Sequence, residues 1–262
     1  FTGDADTGAD NDQITLSATG FVTGTVGGGT GADTLNGGNV ATTYIVSGLD
    51  SGSVAGRITS FNEIENLNGG TLADTFQFQT GGTLTSGTIN GGSGDGDRLQ
   101  GDLQANLFVI TGTDAGTYDA DGVVGGAISF SDVESVDGRS GVDQFEFTST
   151  GFLTGQLLGG AGLDELLGSD NGDFFHVTSA NAGVLYDGPG MVAARTADGF
   201  VSIESLTGGS GNDTFDVDFD LVGDLQGGGG DDTFLVDANV SGDLDGGAGT
   251  NLLILGAGAS IG

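Results

Sequence analysis

Residues 203–232 read I-E-S-L-T-G-G-S-G-N-D-T-F-D-V-D-F-D-L-V-G-D-L-Q-G-G-G-G-D-D. The kernel of this stretch, G-G-S-G-N-D-T-F-D (208–216), fits the nonapeptide G-G-x-G-x-D-x-U-x, in which U is a large apolar residue. Its glycines can take left-handed turn angles and bring backbone carbonyls close to an ion. Asp213 supplies a carboxylate to that ion. Phe215 and Val217 then alternate with polar residues, as in a strand with one face buried. The kernel therefore predicts a loop able to ligate calcium, followed directly by a short strand.

The pattern recurs. G-G-G-G-D-D-T-F-L-V places Asp232 nineteen residues after Asp213, and G-G-A-G-T-N-L-L-I (246–254) is nineteen further on, with Asn251 in place of the aspartate. Between copies runs a second phrase, apolar-x-G-x-apolar-x-G-G, seen as L-V-G-D-L-Q-G-G (221–228), V-S-G-D-L-D-G-G (240–247) and L-T-G-Q-L-L-G-G (153–160). A fixed period of about twenty residues with two short strands per period predicts a solenoid.

Working outward toward the N-terminus, related loops bring Asp12, Asp33 (G-G-T-G-A-D, 28–33), Asp74, Asp97, Asp143 and Asp164 (G-G-A-G-L-D, 159–164). A longer period overlies the short one. Ile64, Val133 and Ile203, each followed by a glutamate (Glu65, Glu134, Glu204), stand 69 and 70 residues apart. In each such unit a weaker strand starts nine residues after the second aspartate, at Thr42, Asn106 and Asp173. The segments 111–122 and 181–190 lack the pattern and are expected as loops bulging from the coil. No linker is visible, so residues 1–262 are expected to form one continuous array. It starts at Phe1 and stops mid-pattern, which reads as a piece of a longer chain.

Composition agrees with strands and turns. Glycine is 56 of 262 residues and proline 1, while 36% of the chain is hydrophobic. That is neither collagen nor disorder. Each glycine disfavours helix by roughly 1 kcal/mol. The formal charge of -33 comes from 37 acids against four arginines, Arg57, Arg98, Arg139 and Arg195. Such a chain repels nucleic acid and anionic membrane surfaces, and it has no apolar stretch long enough for a membrane-spanning helix. Cysteine is absent, which removes disulfide and thiolate-metal chemistry.

Calcium takes six to eight oxygens, more than one loop supplies, so two loops would share an ion. The pairs expected are Asp12 with Asp33, Asp74 with Asp97, Asp143 with Asp164, and Asp213 with Asp232. The two later pairs fit the motif best. The loop before Asp74 lacks its third glycine, that before Asp97 carries an extra residue, and that before Asp12 lacks the G-G. The competing reading is that these aspartates only form Asx-turns. His176, the single histidine, points away from the core if Phe175 and Val177 point in. The three glutamates read as a structural ladder, and Arg57 and Arg195 as partners of acidic neighbours.

The G-G-S-G-N-D-T-F-D and G-G-A-G-L-D-E-L loops resemble those of repeats-in-toxin (RTX) proteins. The phrase N-x-F-x-V…A-G…I-E-x-L-x-G-G-x-G-x-D-x-F-x-F, repeated about every 70 residues, resembles the repeat arrays of giant bacterial surface and adhesin-like proteins. The resemblance implies an all-β fold, a right-handed parallel β-solenoid (β-roll or β-helix), with Ca2+ held at Asp143, Asp164, Asp213 and Asp232 and less firmly at Asp33 and Asp97. It also implies export and folding in extracellular calcium.

The function expected is a non-enzymatic spacer, stalk or fibre module at the bacterial cell surface or in a biofilm matrix. Its partners would be neighbouring repeats, further copies of itself, or a surface glycan. The alternative is a polysaccharide-acting β-helix enzyme or its glycan-binding calcium module. Such an enzyme needs a localised acid, base and charge stabiliser. Four scattered arginines, one histidine and no lysine argue against it.

Overall fold

The computed structural model describes residues 1–120, 126–188, 191 and 193–262. Among these there are thirty strands and no helix. The all-β class expected from glycine content and two-residue alternation is the one observed. The two large sheets mix parallel and antiparallel pairs, and among the described residues no sheet closes into a barrel. The chain forms two compact units: Phe1–Asn106 with Asp114–Asp137, and Leu107–Thr113 with Gly138–Gly262.

In the first unit, Gln13–Thr15, Thr34–Asn36, Asn66–Gly70 and Thr88–Gly92 pair parallel in that order. Their register places Ile14, Leu35, Leu67 and Ile89 opposite one another. A second ladder, Thr43–Gly48, Thr75–Phe78, Arg98–Gln100 and Ser135–Asp137, aligns Tyr44, Phe76, Leu99 and Val136. All four of these side chains are buried. Because the side-chain period is two, this register sends each polar neighbour to the other face.

The second unit repeats the scheme. Gln144–Phe147, Glu165–Leu167, Ser205–Gly209, Leu225–Gly228 and Leu244–Asp245 align Phe145, Leu166, Leu206, Leu225 and Leu244. Asp173–Ser179, Thr214–Val217, Thr233–Val236 and Leu252–Leu255 align Phe175, Phe215, Phe234 and Leu253. The three phenyl rings stack face over face, with centroids 4.8 Å apart at both steps. That spacing is the distance between paired strands, so identical residues at one repeat position become a continuous apolar column.

The segments expected as bulging loops are different. Ala182–Asp187 is a strand, antiparallel to Asp173–Ser179 and to Phe200–Val201. Ala115–Ala120 is a strand antiparallel to Ile128–Ser131. Residues 121–122 and 189–190 lie outside the described residues. In the first unit Thr43–Gly48, Ser51–Val54 and Ile58–Asn62 likewise form an antiparallel meander. The reason is local. Asp50, Asp114 and Asn181 take the left-handed conformation, at φ 48°, 51° and 52°, in two-residue turns. Tyr118 and Leu185 then bury fully on the alternating face of the added strands. Buried apolar area and a tight turn together outweigh the absence of the glycine motif.

Candidate functional site: a ladder of buried aspartates

The loop aspartates Asp33, Asp74, Asp97, Asp164, Asp213 and Asp232 turn their side chains inward, and each contacts the backbone of a preceding repeat. The N–H of Asp12 donates to Asp33 Oδ1 (2.7 Å), and that of Asp74 to Asp97 Oδ1 (2.6 Å). In the second unit the N–H of Asp143 donates to Asp164 Oδ1 (2.8 Å) and that of Asp213 to Asp232 Oδ1 (2.9 Å). The four expected pairs are therefore neighbours, each joined by one carboxylate–amide bond. Asn251 continues the last ladder by accepting from the N–H of Asp232 at 2.8 Å.

The glutamates complete the ladders, as the repeat spacing suggested. Glu65 Oε2 accepts from the N–H of Asp33 (2.7 Å), Glu134 Oε2 from that of Asp97 (2.6 Å), and Glu204 Oε2 from that of Asp164 (2.9 Å). Glutamate has the extra methylene to reach back from the strand start. Three members of the ladder were not anticipated as site residues. Thr42 and Asp173 donate their N–H groups to Asp74 Oδ1 (2.5 Å) and Asp213 Oδ1 (2.6 Å), and Asn106 holds the same loop position. The available signal was their fixed nine-residue offset from Asp33, Asp97 and Asp164.

The second carboxylate oxygen is in a different state. Oδ2 of Asp12, Asp33, Asp74, Asp97, Asp164, Asp213 and Asp232 is buried with no hydrogen-bond partner. Asp143 is buried like Asp33, Asp74, Asp97, Asp164, Asp213 and Asp232, at 1% exposure. Each Oδ2 in the well-formed loops lies against the first glycine of its own loop. A Cβ at Gly208 would collide with Asp213 Oδ2, and one at Gly227 with Asp232 Oδ2. The carbonyl oxygens of Gly227 and Gly246, each one repeat on, border the same two places. A side chain would fill each cradle, so only glycine lets the carboxylate fold in.

Burial makes these charges costly. It pushes Asp74 and Asp164 up to about 6, against the opposing amide hydrogen bonds from Thr42 and Asp143. Asp213 is pushed up to about 7, by burial first and then by the charges of Asp173 and Asp232. Asp97, Glu65 and Glu134 are raised by the same desolvation. A buried carboxylate in this state is stabilised by anything positive that reaches it. The donors present are carboxylate and carbonyl oxygens, the set a hard cation such as calcium uses. Among the described residues no three His, Cys, Asp or Glu side chains converge on one point.

Arg195 is buried and pairs with Asp173 (2.9 Å) and Asp187 (2.6 Å). Arg57 instead donates to the carbonyls of Gly20, Gly37 and Ser17. His176 lies between buried Phe175 and Val177 on the outer face, its Nε2 3.2 Å from Asp218 Oδ2.

No known family model matches the chain, and neither does any curated protein.

Proposed function

We propose that this chain is a non-enzymatic structural module, a parallel β-solenoid interrupted by hairpins, whose repeats are locked together by calcium. It would serve as a spacer, stalk or fibre segment of an extracellular bacterial surface or matrix protein, as the likeness of its loops to RTX repeats implies. The observation that carries the proposal is the division of labour within Asp33, Asp74, Asp97, Asp164, Asp213 and Asp232. In these, Oδ1 binds the neighbouring repeat, while Oδ2 is left buried and bare. Residues Asp12, Asp33, Asp74, Asp97, Asp143, Asp164, Asp213 and Asp232 would hold the ions, two loops to each, with loop carbonyls completing the shell. Bound calcium supplies positive charge to buried carboxylates and so lessens the self-repulsion of a chain with net charge -33 where it is least screened.

Calcium binding by this protein is measured directly by equilibrium dialysis with atomic-emission counting of the metal. Several equivalents per chain, reduced when Asp164 and Asp232 are replaced by asparagine, support the proposal. No binding at millimolar calcium, the weak end of the range for extracellular sites, refutes it.

A further inference from the structure

Three loop positions are equivalent to the eight aspartates and yet are built differently. Thr42, Asn106 and Asp173 each stand five residues after a glycine (Gly37, Gly101, Gly168) whose added Cβ would strike the residue in question. Asn106 and Asp173 open, and Thr42 immediately precedes, a strand that the following hairpin extends. At none of these positions is a bare carboxylate left.

In the first case the carboxylate is replaced by threonine. Arg57 Nη1 donates to Gly37 O (2.9 Å) and reaches Thr42 Oγ1 (3.4 Å), while the Tyr44 hydroxyl donates to Asn68 O (2.6 Å). In the second, asparagine stands there. Tyr118, carried in by the added strand Ala115–Ala120, donates its hydroxyl to Asn106 Oδ1 (2.9 Å). The Asn106 amide donates to Gln104 O (2.8 Å). The third keeps the aspartate and brings a cation to it. Arg195 Nε donates to Asp173 Oδ1 at 2.9 Å, and the N–H of Ser169 donates to Asp173 Oδ2. The same guanidinium donates to Asp187 Oδ1, Ser169 Oγ and the carbonyls of Thr148, Ser149 and Gly151, so its donors are all engaged.

Asp173 is thus the internal control for Asp33, Asp74, Asp97, Asp164, Asp213 and Asp232. It occupies the same place, donates its N–H along the same ladder, and has both oxygens satisfied because a hairpin delivers Arg195. We infer that the hairpin-bearing repeats are closed by the protein's own groups and take no metal, with Arg195 standing where an external divalent cation is required elsewhere. The inference rests on the calcium reading above and deepens it. Metal demand is confined to the short-loop repeats, and the hairpin repeats stay ordered without it. A chain exported into a calcium-poor medium would retain these repeats as islands on which the others close once the ion is available.

Hydrogen-exchange mass spectrometry of the intact protein, in EDTA and in saturating calcium, tests this by segment. The expected result is strong calcium-dependent protection at Arg98–Gln100 and Thr233–Val236, with little change in the antiparallel amides of Ala182–Asp187 and Ser51–Val54. Equal calcium dependence in all four segments overturns the inference while leaving the calcium reading intact. A flat map with no calcium effect anywhere defeats both.

Arg195→Gln provides a second arm, because it leaves Asp173 as bare as its counterparts. The loss in melting temperature is then expected to be larger in EDTA than in calcium. A loss of equal size in both conditions means that Arg195 only bridges carbonyls, and contradicts its role as an internal cation. Should the variant not fold in either medium, the segment map of the unaltered protein decides the matter.

Discussion

The backbone N–H of Asp213 donates to Oδ1 of Asp232, nineteen residues ahead, at 2.9 Å. That single bond ties two successive repeats at the loop, just before the strands Thr214–Val217 and Thr233–Val236 pair and their phenylalanines stack. The carboxylate is therefore a structural acceptor on one oxygen and an unmet charge on the other. The two roles can be separated by substitution.

Asp232→Ala removes the acceptor and leaves the Asp213 amide buried without its partner, at a cost of about 1–3 kcal/mol. Asp232→Asn keeps the acceptor, since Asn251 already plays that part for the Asp232 amide. In EDTA the asparagine variant is expected to be at least as stable as the parent, because the bare charge has gone. In calcium it should lose the stabilisation that the parent gains. Urea denaturation of the three proteins in both media measures each term.

The glycine at the head of the loop is as restrictive as the aspartate. Gly208→Ala drives a Cβ into Asp213 Oδ2 and the Gly227 carbonyl, an overpacking expected to destabilise by about 1–3 kcal/mol. Gly229→Ala is the control. Its φ is not positive and its nearest neighbour would be Ser210 Cα at 3.8 Å, so a near-neutral melting temperature is expected.

The pH dependence has a definite sign. Asp74 and Asp164 titrate near 6 and Asp213 near 7 in the folded chain, against about 3.9 for an unperturbed aspartate. The folded state thus holds these protons more tightly than the unfolded state. Their contribution is fully present below about pH 4 and is lost as pH rises through 6 to 7. Thermal melts in EDTA should accordingly fall in midpoint between pH 5 and pH 8. With calcium in place of the protons that fall should shrink or disappear.

Much of this was legible in the sequence because two constraints act at fixed residue spacing. Only glycine tolerates an inward carboxylate five residues on, so Gly208–Asp213 and Gly227–Asp232 stand out at sight. Only a large apolar residue fills the column of Phe175, Phe215 and Phe234. The hairpins were missed because no repeat marks them. Their signal is a left-handed Asp50, Asp114 or Asn181 followed two residues later by Gly52, Gly116 or Gly183, with Val54, Tyr118 and Leu185 supplying burial further along. The role of Arg195 was also hidden. Its partner Asp173 lies 22 residues earlier, and only the antiparallel return of Ala182–Asp187 brings the two together.

The most direct test of the central claim is far-UV circular dichroism with a thermal melt, first in excess EDTA and then across a calcium titration. The account predicts a sharp rise in melting temperature with calcium, together with a gain of strand signal in the short-loop repeats. Equal folding and equal stability in EDTA would contradict it, and would leave the aspartates as ladder acceptors alone.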